Sequence, residues 1–399
     1  MKKQDLIYIY VTAACCLLAC ATIGVPNAYG LFYEPLSAIL DTGKANATLH
    51  VSIAGLVTGF SSPLIIKILK KVHYRFIIIA GIGLLTLSGY VIANTRSLLL
   101  VNIMGVLRGL GLACSSNVII TLLTGNWFKA RRGTISGLIM SFSGIMGSIL
   151  TPLVATLLER HGFRFAYLFC AIAILVLAFP AMTLPLRPED IDMKPYGEDF
   201  ASISGKDSYE GRYELSFFNK VFLLLVTTSF LVICVTTLTS YLPSYVQSLG
   251  QSAKNAASLL SASMVGNVLF KFLIGISIDK KGVLFSFIVF MSIAFVGLVF
   301  ITFFPINGTV LYISGVLYGA CYAVNKVAIP LIVRIFYGDE KYGEAYSTLS
   351  LCENIARSSI ITAIGFMYDN SGTYLYCFLI ALFACVASSL LMLYQQKKR

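Results

Sequence analysis

The sequence predicts an all-α polytopic membrane protein of twelve transmembrane helices in two six-helix halves. Three observations lead there: the apolar content, the regular spacing of apolar runs, and the uneven placement of basic residues. Of 399 residues, 57% are hydrophobic and 12% are charged, against about 25% charged in an average soluble domain. A single soluble core cannot absorb that apolar surface, so most of it is expected to face lipid.

Polar breaks divide the chain into runs of roughly 20 to 28 residues, and about 20 apolar residues cross roughly 30 Å of hydrocarbon as a helix. The first run, 6–34, follows Lys2 and Lys3 and is too long, with no small-residue cleavage site, to read as a secretory signal peptide. Runs 45–68 and 75–94 are parted by a basic turn from Lys67 to Arg75. Runs 97–125 and 132–158 flank NWFKARRG, and 163–185 completes six. The layout repeats at 217–247, 253–278, 282–304, 308–336, 343–368 and 372–394. Between the two sets lies LRPEDIDMKPYGEDFASISGKDSYEGRYELS, acidic and rich in Gly, Pro and Ser without apolar periodicity. The expected domains are therefore an N-terminal half at 1–185, a cytoplasmic linker at 186–216 and a C-terminal half at 217–399.

The formal charge of +12 is accounted for by topology. With an even number of spans, one side collects Lys2, Lys3, Lys67, Lys70, Lys71, Arg75, Lys129, Arg131, Arg132, Lys280, Lys281, Arg334, Lys341 and the Lys397-Lys398-Arg399 tail; the other has only Lys44, Arg96, Arg160, Arg164 and Lys254. The positive-inside rule puts both termini in the cytoplasm, in the plasma (inner) membrane. Nucleic acid is not needed to explain the basicity. The ten cysteines lie almost entirely inside spans, without disulfide or zinc spacing. The three histidines, His50, His73 and His161, sit near span ends, and no phosphate loop or nucleophile-base set occurs. An enzyme, a metal and a cofactor are all unexpected.

Spans four and five carry GVLRGLGLACSSNVIITLLTGNWFKARRGTISGLIMSFSGIMG, with Gly105, Gly109 and Gly111, then Gly133, Gly137, Gly144 and Gly147, as small-residue contact surfaces. Trp127 and Phe128 fall at the expected membrane interface. Here the chain resembles the major facilitator superfamily. NWFKARRGTISGLIMSFSGIMG, NAYGLFYEPL and YGACYAVNKVAIPLIVRIFYGDEKYGEAYS resemble segments of its monocarboxylate and oxalate/formate transporter group. GISIDKKG, with Gly275, Asp279, Lys280 and Gly282, resembles the superfamily's gating loop motif after helix eight. Its counterpart after helix two, SSPLIIKILKKVHYRF, keeps the basic residues but lacks the Asp and the Gly. The resembling eukaryotic-type carriers place an acid, an Arg and a Gly four apart in helix eight, where this chain has Asn267, Lys271 and Gly275. Lys keeps the cation but gives up the bidentate Arg fork.

Lys271 stands eight residues before Asp279, roughly 12 Å from the helix end and near mid-membrane. A charge there costs a few kcal/mol and calls for a wet cavity or a partner. Lys326 stands eight residues before Arg334, at matching depth, and Arg108 lies well inside span four, either on substrate or in a structural or proton-coupling role. Glu353 and Arg357 are one turn apart, so Glu353 is either a proton carrier or the ion-pair partner of Arg357. The core cations outnumber the carboxylates, which suits a small anion and repels a cation. Polar candidates to orient the anion are Tyr29, Asn117, Asn267, Tyr322 and Asn325, with Asn27 and Tyr241 beside them.

The reading is a secondary active transporter of a small, monocarboxylate-like organic anion by alternating access, as proton-linked symport or anion exchange, functioning as a monomer. The alternative within the superfamily is a multidrug or other small-solute exporter, for which SGIMGSILTP, with Pro152 displaced and no paired glycine, is a poor helix-five match. A non-transporting solute sensor is a further alternative.

Overall fold

The computed structural model describes residues 3–115, 117–198, 219–251, 253–304 and 308–397. Of the expected linker, 199–216 lies outside the described residues, as do Lys2, Lys398, Arg399 and the side chains of Lys3, Lys44, Lys254 and Lys397.

Ten helical stretches are long and apolar enough to cross a membrane among the described residues. Two of them, Arg132–Met182 and Gly308–Tyr368, each run through one glycine with non-helical backbone. Gly162 has φ 79° and ψ 175°, and Gly338 has φ 73° and ψ 173°. A side chain is strained at such angles, so glycine is the residue that lets the chain stop one helix and start the next without a loop. Dividing there gives the twelve segments expected. They are α1 (Asp5–Ile39), α2 (Asn46–Leu69), α3 (Tyr74–Asn94), α4 (Leu98–Trp127), α5 (132–161), α6 (163–182), α7 (Lys220–Ser248), α8 (Ala253–Lys281), α9 (Val283–Phe303), α10 (308–337), α11 (339–368) and α12 (Leu375–Tyr394).

Three helices depart from α geometry where proline enters them. In α1 a π turn at Cys20–Gly24 precedes Pro26, and in α10 a π turn at Val324–Ala328 precedes Pro330. Proline has no N–H to give the carbonyl four residues back. In each helix that carbonyl, of Thr22 and of Lys326, lies inside the π turn, where the ladder changes register. In α7 a 3-10 turn at Leu238–Tyr241 precedes Pro243.

The chain packs as two compact units. The first comprises Met1–Ala130, Phe142–Ser208 and Tyr342–Leu351; the second comprises Arg131–Ser141, Tyr209–Lys341 and Cys352–Arg399. In the first, glycines bring α4 against its neighbours. A Cβ on Gly105 would stand 2.6 Å from the His50 carbonyl of α2, and one on Gly111 would stand 2.7 Å from the Gly81 carbonyl of α3. Trp127 is fully buried rather than at a lipid interface: its indole N–H donates to the Pro185 carbonyl at 3.2 Å, and Tyr8 packs edge-on against it. The start of the expected linker docks in this unit, with the Tyr196 N–H on the Trp127 carbonyl at 2.8 Å and the Lys129 N–H on the Tyr196 carbonyl at 2.9 Å.

In the second unit, Asp339 accepts from Arg132 and from Arg334, each at 2.9 Å. Both guanidiniums are buried, so removing the shared carboxylate takes one charged partner from each of two desolvated cations. Asp339→Asn is expected to lower the melting temperature of the detergent-solubilised protein by about 5 °C, read by thermal shift.

Candidate functional site

Each unit holds its own cluster of buried charge. In the first, α4 carries Arg108, 8% exposed, with its guanidinium carbon 3.9 Å from the centroid of the Tyr29 ring of α1. The Tyr167 hydroxyl of α6 lies beside it, and Tyr33 and Cys170 complete the groups that act on it electrostatically. No carboxylate pairs with Arg108 among the described residues. Arg108, Tyr29 and Tyr167 line a small cavity with Thr22, Pro26 and Ser88. The π turn of α1 contributes Thr22, so the Pro26 irregularity shapes the wall. A guanidinium facing a ring, hydroxyls and a cavity can take a carboxylate without first breaking an ion pair.

Asn117, also on α4, is engaged elsewhere. Its amide donates to the Tyr346 hydroxyl of α11 at 2.6 Å, while its Oδ1 has no partner. One turn on, Tyr342 donates to Thr121 at 2.7 Å, and the Tyr342 and Tyr346 rings stack 5.6 Å apart. These bonds tie α4 to the start of α11.

In the second unit, Lys271 of α8 is 4% exposed and donates to the Met140 carbonyl of α5 at 3.3 Å. Lys326, on the α10 π turn, repels it electrostatically. Glu353 of α11 acts on Lys326, and Arg357 acts on both. Glu353 and Arg357 nevertheless form no close ion pair among the described residues. The carboxylate stands beside Ser229 of α7, yet neither Glu353 Oε1 nor Ser229 Oγ has a hydrogen-bond partner in good geometry. Thr239 and Arg357 both act on Tyr322 in this electrostatic set. Asn267 has an unpartnered Oδ1 and only a 3.9 Å contact from its amide to the Met264 sulfur. Asn325 is 1% exposed with both amide atoms unpartnered. Orphaned polar atoms at this depth are costly; here they belong to Asn267, one turn from Lys271, to Asn325, next to Lys326, and to the Glu353 and Ser229 pair.

The expected gating motif is also in this unit. Asp279 accepts the Gly133 N–H at 2.8 Å and the Thr134 N–H at 2.7 Å. Those amides open α5, where a carboxylate meets unsatisfied donors and the positive end of the helix dipole. Gly275 faces Gly133, and a Cβ on either would collide with the other's carbonyl. Gly137 meets the Lys271 carbonyl in the same way. Lys280 is exposed, and Gly282 (φ 88°) turns the chain into α9. In the first unit the corresponding segment of α2 sets Ile66 against Gly343 of α11, and Lys70 pairs with Glu344 at 2.6 Å. An ion pair thus stands where the other copy has a carboxylate on backbone amides. That pair, the Asp339 pairs and the Tyr167 contact carry no local sequence signal.

A model described as the Major Facilitator Superfamily matches residues 12–361. The chain belongs to the major facilitator superfamily. Human monocarboxylate transporter 12 is 23% identical, covering 96% of this chain and 79% of its own length. Zebrafish monocarboxylate transporter 12-B is 25% identical, covering 96% and 85%. Among solved structures, the superfamily's proton:xylose symporter XylE superposes with a TM-score of 0.73 at 16% identity, over 97% of this chain and 94% of that one. These are transporters and not enzymes, and this major facilitator chain is a multi-pass membrane protein with their all-α fold.

Proposed function

We propose that this major facilitator transporter carries a small organic anion of the monocarboxylate kind by alternating access. The observation that carries the reading is the charge balance of the second unit, where Lys326 and Arg357 act on Glu353, Lys271 feels only the further cation Lys326, and Glu353 is the one carboxylate acting on this set among the described residues. In a low-dielectric setting the excess cation attracts an anion and repels a cationic drug. Lys271 and Lys326 are the substrate contacts in this unit, with Asn267, Tyr322 and Asn325 orienting the ligand; Arg108, with Tyr29, offers a cation in the other unit. The naming of relatives as monocarboxylate transporters supports the class. Glu353 and Arg357 are proton-coupling candidates, and Asp279 on the opening amides of α5 is a gate that releases as access alternates. The basic asymmetry supports a chain with both termini in the cytoplasm, in the plasma (inner) membrane; the transporter is read as working as a monomer.

Uptake into proteoliposomes from a panel of labelled monocarboxylates, dicarboxylates and neutral sugars tests this. Saturable uptake of one or more small carboxylates, with no uptake of the sugars, is expected. Preference for a neutral sugar sinks the reading.

A further inference from the structure

His50 is unlike the other two histidines. His73 and His161 are exposed, whereas His50 is 2% exposed on α2. Its Nδ1 lies 2.8 Å from the Ala47 carbonyl. A carbonyl can only accept, so Nδ1 carries the hydrogen and the neutral ring presents Nε2 as a bare proton acceptor. The backbone of His50 lies against Gly105 of α4, where a Cβ would stand 3.1 Å from the His50 Cβ. Arg108 follows Gly105 by three residues, on the same helix face. Arg108 is the charged group that acts on His50. Around Arg108 stand phenols and a thiol, Tyr29 and Tyr33 from α1 and Tyr167 and Cys170 from α6, and no carboxylate among the described residues.

This arrangement couples two ligands. With the Arg108 site empty, a proton on His50 makes a second cation beside an uncompensated guanidinium. A carboxylate on Arg108 cancels that repulsion, so the anion favours the proton. By linkage the proton favours the anion by the same factor. We propose that His50 is the proton acceptor of one-proton, one-monoanion symport, loaded at Nε2 when a small carboxylate occupies Arg108. The proton comes from water on the entry side and returns to water on the exit side as the anion leaves, so the cycle moves no net charge. The inference rests on the anion reading above and names its co-substrate and the residue that holds it.

The test uses the full chain in proteoliposomes, with labelled L-lactate and pyruvate as probes and trapped pyranine to report proton entry. At equal pH inside and out, counterflow measures anion translocation alone; an imposed inward proton gradient measures coupling. The wild type is expected to show counterflow, at least tenfold stimulation of uptake by the gradient, and acidification of the lumen on addition of the anion. His50→Gln is expected to keep counterflow within about threefold of wild type while losing both gradient stimulation and acidification. Should His50→Gln show no counterflow, His50→Asn, whose amide can also reach the Ala47 carbonyl, replaces it. Gradient-driven uptake with acidification in a His50 variant overturns the proposal, as does wild-type counterflow without proton entry. Wild-type liposomes with no counterflow of either probe overturn the anion reading for these carboxylates and the proposal with it.

Discussion

Replacing Lys271 by Gln is expected to raise the KM for the transported anion by about 10- to 100-fold, the equivalent of one charge-assisted contact of about 1.5 to 3 kcal/mol. Glutamine suits the test because its amide can still donate to the Met140 carbonyl that now receives the Lys271 ammonium. The α5 to α8 contact can survive while the charge goes. The variant should therefore reach the membrane and melt near the wild-type temperature, with the loss confined to substrate handling. Initial-rate uptake over a range of anion concentrations reads it. A KM within twofold of wild type would remove Lys271 from the substrate contacts and leave it a role in helix packing.

The second large effect concerns the junction of α5 and α8. Gly275→Ala places a methyl on the Gly133 carbonyl, a backbone atom that cannot swing aside as a side chain would. The helices must part locally, drawing Asp279 from the Gly133 and Thr134 amides. Turnover is expected to fall at least tenfold with KM little changed. Asp279→Asn reaches the same junction without steric strain. Weakening charge-assisted bonds by about 2 kcal/mol shifts the ratio of latched to released states by about 30-fold. Amide hydrogen exchange over residues 131–141 should quicken accordingly. Exchange as slow as in the wild type would mean that Asp279 does not hold this end of α5.

Much of this was legible because it is local. Span lengths follow from apolar runs, and the breaks expected between 158 and 163 and between 336 and 343 bracket Gly162 and Gly338. The depth of Lys271 and Lys326 came from counting residues to a helix end, and both are placed among other charges. What was not legible depends on residues far apart in the chain. Asn117 reads as a substrate contact from its place in an apolar run, but its amide is on Tyr346. Glu353 and Arg357 have the spacing of a helical ion pair, yet the acid is turned among Lys326, Arg357 and Ser229, because a buried side chain follows its tertiary neighbours rather than its own helix. The π turns could be suspected only from Pro26 and Pro330. His50 reads as one histidine near a span end; its hydrogen bond to Ala47 and its neighbour Arg108 give it a different standing.

The segment Tyr342–Leu351 of α11 belongs to the first packing unit, and this bears on how the protein is made. Tyr346 is synthesised 229 residues after Asn117 and Tyr342 221 residues after Thr121. During translation the first six helices enter the bilayer well before the hydroxyls that satisfy α4 exist. In that interval the Asn117 amide is without the Tyr346 hydroxyl that takes its bond in the folded chain. The first unit closes only when α11 arrives, so assembly of the nascent chain ends with a late docking step rather than with the sixth helix.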